Sequence, residues 1–203
     1  MKVLVACEFS GTVRDAFKAQ GHDAWSCDIL PSEIPGNHIQ DDVLEHLNEE
    51  WDLMIAHPPC THTAASGARW FPEKRHEQSK AIQFFTDLYH ADIEKVCLEH
   101  PVSIISTVFR KPDQYIHPWM FGHGETKKTG LWLKGLPKLE PTHIRTKEQE
   151  LIIDYVDDVR ETYHDSVEGR ENRIHRMPPS KDRWKLRSIT YPGIAEAMAT
   201  QWS

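Results

Sequence analysis

"KVLVACEFSGTVRDAFKAQGHDAWSCDI", residues 2–29, reads as strand, turn, helix, turn, strand. Residues 2–9 are a continuous apolar, β-branched run, the composition of a strand buried on both faces of a sheet. The run breaks at Ser10 and Gly11. Residues 12–22 then set Val13, Ala16 and Phe17 on one helical face and stop at Gly21. Residues 23–29 resume an apolar run and close on an acid, Asp28. A strand that returns after one helix is the repeating unit of a parallel sheet.

The pattern continues along the chain. "DDVLEHLNEE" is a short helix or turn, and "WDLMIA" (51–56) is the next strand. Residues 72–91 predict a helix, with proline at its start and Ile82, Phe85 and Leu88 in its buried stripe. "IEKVCLEHP" (93–101) is a further buried strand, "TGLWLKGLP" (129–137) a late one, and residues 192–202 a closing helix. The expected fold class is therefore α/β with a mostly parallel sheet. The alternation is lost over 138–187, which predicts an irregular insertion. Trp51, Phe84, Phe85, Trp132 and Trp202 fall in elements and read as core. Trp70, Trp119 and Trp184 fall in irregular segments, where base stacking and loop anchoring are both open readings.

Ligands of such sheets sit beyond the carboxyl ends of the strands. That rule gathers four groups on one edge: the turn "FSG", Asp28, Cys60 and Glu99. Cys60 follows Pro58 and Pro59 in "HPPC", directly after an apolar run. The prolines hold the path extended and donate no hydrogen bonds, so the thiol is pushed out of the strand into the cleft, where it can act as a nucleophile. Glu99 ends "VCLE" on a neighbouring strand, a place suited to proton donation or to bonding a ring nitrogen. Asp28 lies about 20 residues past the first strand-turn, where nucleotide-binding α/β folds carry a ribose-binding acid. With one glycine, "FSGTVRDAF" is a poor phosphate cradle, and a cofactor without a phosphate chain fits it better.

At 203 residues and 39% hydrophobic content the chain supports one full domain. No apolar run approaches the length of a membrane span, and "MKVLVACEFSG" reads as a first strand rather than a secretory leader. Four cysteines without a CxxC pair read as reduced thiols in the cytoplasm. The net charge of −7 argues against non-specific coating of nucleic acid. It is unevenly spread: 148–168 holds eight acids and one arginine, whereas 170–187 holds seven Lys/Arg and two acids. Arg170, Arg173, Arg176, Arg183, Lys185 and Arg187 are therefore candidates for phosphate contact.

Taken together, these stretches resemble the DNA cytosine-C5 methyltransferase family, in particular its short phage- and prophage-type members. "EFSG" resembles the cofactor loop, Asp28 and Ile29 the ribose acid and its apolar neighbour, and "DDV" (41–43) the adenine-side motif. "DLMIAHPPC" resembles the Pro-Cys nucleophile motif, "LEHP" the Glu-Asn-Val motif, "ETKKTGLWLKG" (125–135) the glutamine-and-arginine strand motif, and "TYPGIAEAMATQW" the final motif. The resemblance implies a Rossmann-like class I S-adenosylmethionine-dependent methyltransferase. Its catalytic domain would span 1–136 and 188–203, with 137–187 standing in place of a target-recognition domain. It implies Cys60, Glu99, Lys127 and Lys128 as catalytic residues. Phe9, Ser10, Gly11, Asp28, Ile29, Asp42, Val43, Pro58 and Gly193 would hold S-adenosylmethionine. Cys60 would add to C6 of a flipped-out cytosine, Glu99 would hydrogen-bond at N3, and C5 would take the methyl group.

The chain departs from the family pattern at several places. A second glycine after "FSG" is missing, Thr61 stands where glutamine follows the cysteine, His100 and Pro101 replace Asn-Val, and Lys127 and Lys128 replace arginines. The expected partner is DNA, with RNA or a free nucleotide as alternatives. No membrane or metal is expected, a homo-oligomer is possible, and the compartment is the cytoplasm, the host's if the chain is phage-encoded. Three rival readings stand beside this one. "HPPC" also resembles the Asp-Pro-Pro-Tyr motif of amino-methyltransferases, although His57 and Cys60 supply neither the proton acceptor nor the stacking ring of that chemistry. A zinc site at His57, Cys60 and His62 lacks a second ligand pair at finger-like spacing. A catalytically silent module that grips nucleic acid or protein is the third.

Overall fold

The computed structural model describes residues 1–143 and 177–203. Its described residues contain seven strands: β1 (Lys2–Ala6), β2 (Asp23–Asp28), β3 (His38–Gln40), β4 (Leu53–Ala56), β5 (Lys95–Pro101), β6 (Gln114–Ile116) and β7 (Thr129–Lys134). They form one sheet in the order β3-β2-β1-β4-β5-β7-β6. β1 to β5 pair in parallel, while β7 runs antiparallel between β5 and β6. The fold is the Rossmann-like α/β class expected from the sequence.

Side chains alternate across β1 as the pleat requires. Val3 and Val5 join a core with Val13 and Phe17 of α1 (Thr12–Ala19) and with Ile194, Ala195 and Met198 of the closing helix, Pro192–Gln201. Leu4 and Ala6 face the other way, into a core with Phe85 and Leu88 of α2 (Arg75–His90) and Ile105 of α3 (Ile105–Val108). Both faces of the sheet are thus covered, which is why its strands read as unbroken apolar runs. A short helix, α4 (Arg183–Ser188), precedes the closing helix, which becomes α5.

Several expectations shift. The helix expected over 72–91 begins at Arg75, because Pro72 falls in a ten-residue 3₁₀ stretch, Ala65–Lys74. The strand over 129–137 stops at Lys134, where Gly135 turns with φ +65 and packs so tightly on the Glu94 carbonyl that no Cβ would fit. Strands β3 and β6, three residues each, were not expected. Leu139 is fully buried and exchanges two hydrogen bonds with the Gln114 side chain, so the core runs on past residue 136. Among the described residues no helix is long and apolar enough to cross a membrane.

Candidate active site

The carboxyl ends of β1, β2, β4 and β5 lie on one edge of the sheet because these strands are parallel. After β1 the chain enters the turn Cys7–Gly11. Cys7 has φ +57, an uncommon conformation for a residue with a side chain, and Gly11 has φ +75. A Cβ on Gly11 would stand 2.5 Å from Arg14 Nη2 and 2.7 Å from Ile34 Cγ1, so glycine is required there. Glu8 is buried and turns back onto the start of α1. Its carboxylate accepts from the main-chain N–H groups of Val13 (2.7 Å) and Arg14 (3.2 Å) and from the Ser10 hydroxyl (3.2 Å). The helix N-terminus is thus already occupied by an anion from the chain itself.

Arg14, fully buried, ties the loop after β2 to this turn. Its guanidinium donates to Ser26 Oγ (3.2 Å), Ser32 Oγ (3.1 Å) and the Pro35 carbonyl (3.2 Å), and it pairs with Asp15 (2.8 Å). Asp28 closes β2, is half-buried, and accepts from Leu30 N–H at 2.9 Å. Burial pushes its carboxyl above the ordinary range, with the Leu30 hydrogen bond opposing. The adjacent Ile29 is 73% exposed, an unusual setting for so large an apolar side chain. Asp42 caps the short 3₁₀ helix Val43–His46 by accepting from Leu44 N–H at 3.0 Å.

Pro58 is buried and Pro59 exposed after β4, and Cys60 is half-buried. The Cys60 carbonyl accepts from Thr63 and Ala64 N–H (3.1 and 2.9 Å), while Thr63 and Ala65 bond the segment after β5. The thiol-bearing turn is therefore fixed to the neighbouring strand. Burial pushes the Cys60 thiol above its ordinary value, and the cations Lys127 and Arg187 pull against that rise.

Glu99 lies inside β5, opposite Leu131 of β7, rather than at the strand's last residue. Its Oε2 is 3.1 Å from His57 Nδ1 and accepts from the Thr190 hydroxyl at 3.3 Å. Burial acts to raise the Glu99 carboxyl, but the bond and charge of His57, with Lys127 and Thr190, outweigh it and hold it at about 2. His57 is raised: burial disfavours its charge, and the Glu99 bond with the charges of Glu99 and Glu8 overcomes that cost. The neighbouring His100 is held neutral, its pKa lowered to about 4 by burial despite a hydrogen bond to the Pro101 carbonyl. It sits edge-on to Phe85 and Trp132 and contacts the Thr63 hydroxyl at 3.1 Å.

The sequence candidates divide. Lys127 acts on both Cys60 and Glu99, while His57 and Thr190 contact Glu99 and Arg187 acts on Cys60, partners that spacing did not single out. Lys128 is directed elsewhere, its ammonium 4.4 Å from the centre of the Tyr115 ring. Phe9, Ser10, Gly11, Asp28 and Asp42 belong to the strand-tip edge. Val43 is buried in the core with Leu4, Cys27 and Trp51. Gly193 packs on the Phe121 carbonyl, where a Cβ has no room, and donates its N–H to His123 Nε2 at 3.0 Å. Of the basic candidates, Lys185 pairs with Glu33 and Arg187 acts on Cys60. Arg183 Nε is buried without a hydrogen-bond partner among the described residues. Arg170, Arg173 and Arg176 lie outside the described residues. Trp119 is core, while Trp70 and Trp184 are exposed, Trp184 tilting against Phe9 at 5.8 Å. Among the described residues no group of three or more His, Cys, Asp or Glu side chains converges as metal ligands do.

No protein-family model and no curated protein matches the chain. Among solved structures it is similar to a protein assigned as a DNA modification methyltransferase encoded within a prophage (E. coli). The identity is 14% and the TM-score 0.45, over 70% of this chain and 51% of that one. It is also similar to a triple mutant of Spodoptera frugiperda DNMT2, at 12% identity and a TM-score of 0.46, over 71% of this chain and 55% of that one. The chain thus spans about half the length of the solved structures it matches.

Proposed function

We propose that this chain transfers a methyl group from S-adenosylmethionine to C5 of cytosine in DNA, through a covalent adduct at Cys60. The observation that carries the reading is that a Pro-Pro-Cys turn after β4 and a buried glutamate of the adjacent strand β5 both fall under the charge of Lys127. A thiol and a hydrogen-bonding carboxyl group are the pair that addition to a pyrimidine C6 requires, one to form the bond and one to engage N3.

The donor set fits the cofactor. Glu8 already satisfies the first N–H groups of α1, so the turn Phe9–Gly11 offers no cradle for a phosphate chain. Asp28 presents a carboxylate for ribose hydroxyls, the exposed Ile29 an apolar surface for a purine, and Asp42 a further acceptor. S-adenosylmethionine supplies an electrophilic methyl group when bound. The chain's own residues hold the base, form and release the thioether, and exclude water. A duplex substrate requires the cytosine to be flipped out, since C6 is unreachable within the stack.

One feature favours a second reading, a catalytically silent binding module: burial pushes the Cys60 thiol up, away from the nucleophilic thiolate. Calorimetry with S-adenosylmethionine, followed by transfer of labelled methyl to DNA, RNA or cytidine nucleotides and nucleoside analysis, separates the two. The account predicts cofactor binding and 5-methylcytosine from DNA. Label at the exocyclic nitrogen, or cofactor binding without transfer to any of the three, would contradict it.

A further inference from the structure

We propose that His57 and Glu99 act as one proton-carrying pair, and that the proton cytosine N3 takes up as Cys60 adds at C6 is supplied through Glu99 from His57. This deepens, and rests on, the cytosine-C5 reading above.

The geometry is specific. His57 follows β4 directly, its N–H bonded to the Ala6 carbonyl at 3.0 Å, so the ring is fixed between two strand tips. Nδ1 lies 3.1 Å from Glu99 Oε2, with both side chains about nine-tenths buried. Nε2 is buried and has no hydrogen-bond partner among the described residues. The charged groups that act on His57 come from three elements: Glu99 from β5, Glu8 from the turn after β1, and Lys127 from the segment before β7. Glu99 Oε2 is taken by His57 and Thr190, and Oε1 has no hydrogen bond among the described residues, which leaves it for a ligand.

Cytosine N3 carries a lone pair and needs a donor, and an ionised carboxylate is only an acceptor. Alone, Glu99 as found here would oppose the base it is meant to activate. The pair resolves this, because the site's mobile proton rests on the imidazole that bonds the carboxylate. As Cys60 Sγ bonds to C6, the C5=C6 π pair moves to C4–C5 and the C4=N3 pair moves onto N3. His57 Nδ1 passes its proton to the Glu99 carboxylate and N3 takes it from the carboxylic acid so formed, leaving a neutral ring that keeps its Nε2–H. When the thioether breaks and the ring regains aromaticity, N3 returns the proton along the same path. The Cys60 proton leaves to solvent before addition, since the thiolate is the attacking form, and the C5 proton leaves to solvent as the thioether breaks, its place taken by the transferred methyl group. His57 is thus a positioning residue that acts through Glu99.

The test has two arms. The first is the ¹⁵N spectrum of the histidines in the full chain across pH, for the wild type and Glu99→Gln. The proposal expects the His57 ring to remain an imidazolium at pH values where ordinary histidines are neutral, and to lose that behaviour in the variant. A neutral ring at pH 7 in the wild type overturns it, whether or not substitutions at 57 fold. The second arm is single-turnover trapping on 5-fluorocytosine DNA with saturating S-adenosylmethionine, over about pH 5.5 to 9.5, for the wild type and His57→Asn. The rate rises with pH as Cys60 ionises and levels off where the acid serving N3 loses its proton. The proposal expects that break at the raised His57 value in the wild type. In His57→Asn it moves down toward the carboxylate range, and the rate at about pH 8 drops at least tenfold, one decade per unit of pKa. A slower variant with an unmoved break overturns the proposal and leaves the methyltransferase reading standing. A wild type that traps at no pH overturns both.

Discussion

Replacing Glu99 with glutamine removes a specific, acid-labile part of the protein's stability. In the fold the Glu99 carboxyl is held at about 2, against an ordinary 4.5, and is about 9% exposed. At 1.36 kcal/mol per unit the difference amounts to about 3 kcal/mol. Because the folded pKa is depressed, that stability is fully present above about pH 4.5 and is lost as pH falls toward 2. His57 contributes with the opposite sign, since its folded pKa is raised: its share is present below about 6.5 and is lost as pH rises through the folded value. The pair is therefore most stabilising between about pH 4.5 and 6.5. Urea unfolding of the wild type and Glu99→Gln at about pH 3, 5.5, 7 and 9 measures this directly. The gap between the two proteins should reach about 3 kcal/mol near pH 5.5 and shrink toward both ends of the series. Two curves that fall in parallel from pH 5.5 to 3 would refute the assignment of a charged, mutually bonded pair.

Three further outcomes follow from the same contacts. Gly193→Ala forces a methyl group into the Phe121 carbonyl and to 3.0 Å from His123 Nε2. It should cost about 1–3 kcal/mol and lower Tm by about 2–12 °C; an unchanged calorimetric Tm would remove the packing explanation for this glycine. Arg14→Met strips the hydrogen bonds that fasten the loop after β2. It should weaken S-adenosylmethionine binding in calorimetry as well as stability, and loss of stability with unaltered affinity would separate that loop from the cofactor site. Arg183→Gln with Arg187→Gln should lower the slope of log K against log salt for duplex DNA by up to about 1.8. A slope that does not move would take α4 out of the nucleic-acid interface.

Much of the fold was legible because each central strand is covered on both faces. Val3 to Ala6, Leu53 to Ala56 and Val96 to Leu98 had to be continuous apolar runs, and the helices between them had to carry apolar stripes. The three-residue strands β3 and β6 carry too few residues to show a period. The place of Cys60 just beyond a strand end could be read from its own neighbourhood, since two prolines and a strand end are local facts. The His57–Glu99 bond joins residues 42 positions apart, and nothing within either segment announces it. Glu8 and Arg14 were hidden for a related reason. A charged residue beside an apolar run reads as exposed, and burial becomes affordable only once the helix N–H groups and the Ser26, Ser32 and Pro35 oxygens converge on them. Motif likeness assigns Val43 and Gly193 to the cofactor; the contacts they make are the core packing of Val43 and, for Gly193, the close approach to the Phe121 carbonyl and the hydrogen bond to His123.

The most direct measurement on the central claim is the intact mass of the denatured protein after incubation with S-adenosylmethionine and a DNA oligonucleotide carrying 5-fluorocytosine. Fluorine at C5 blocks the last elimination, so a thioether formed through Cys60 persists. The account predicts a protein–DNA adduct one methyl group heavier than the sum of its parts, absent from Cys60→Ser. A wild type that binds S-adenosylmethionine yet yields no adduct, or an adduct that survives Cys60→Ser, would contradict it.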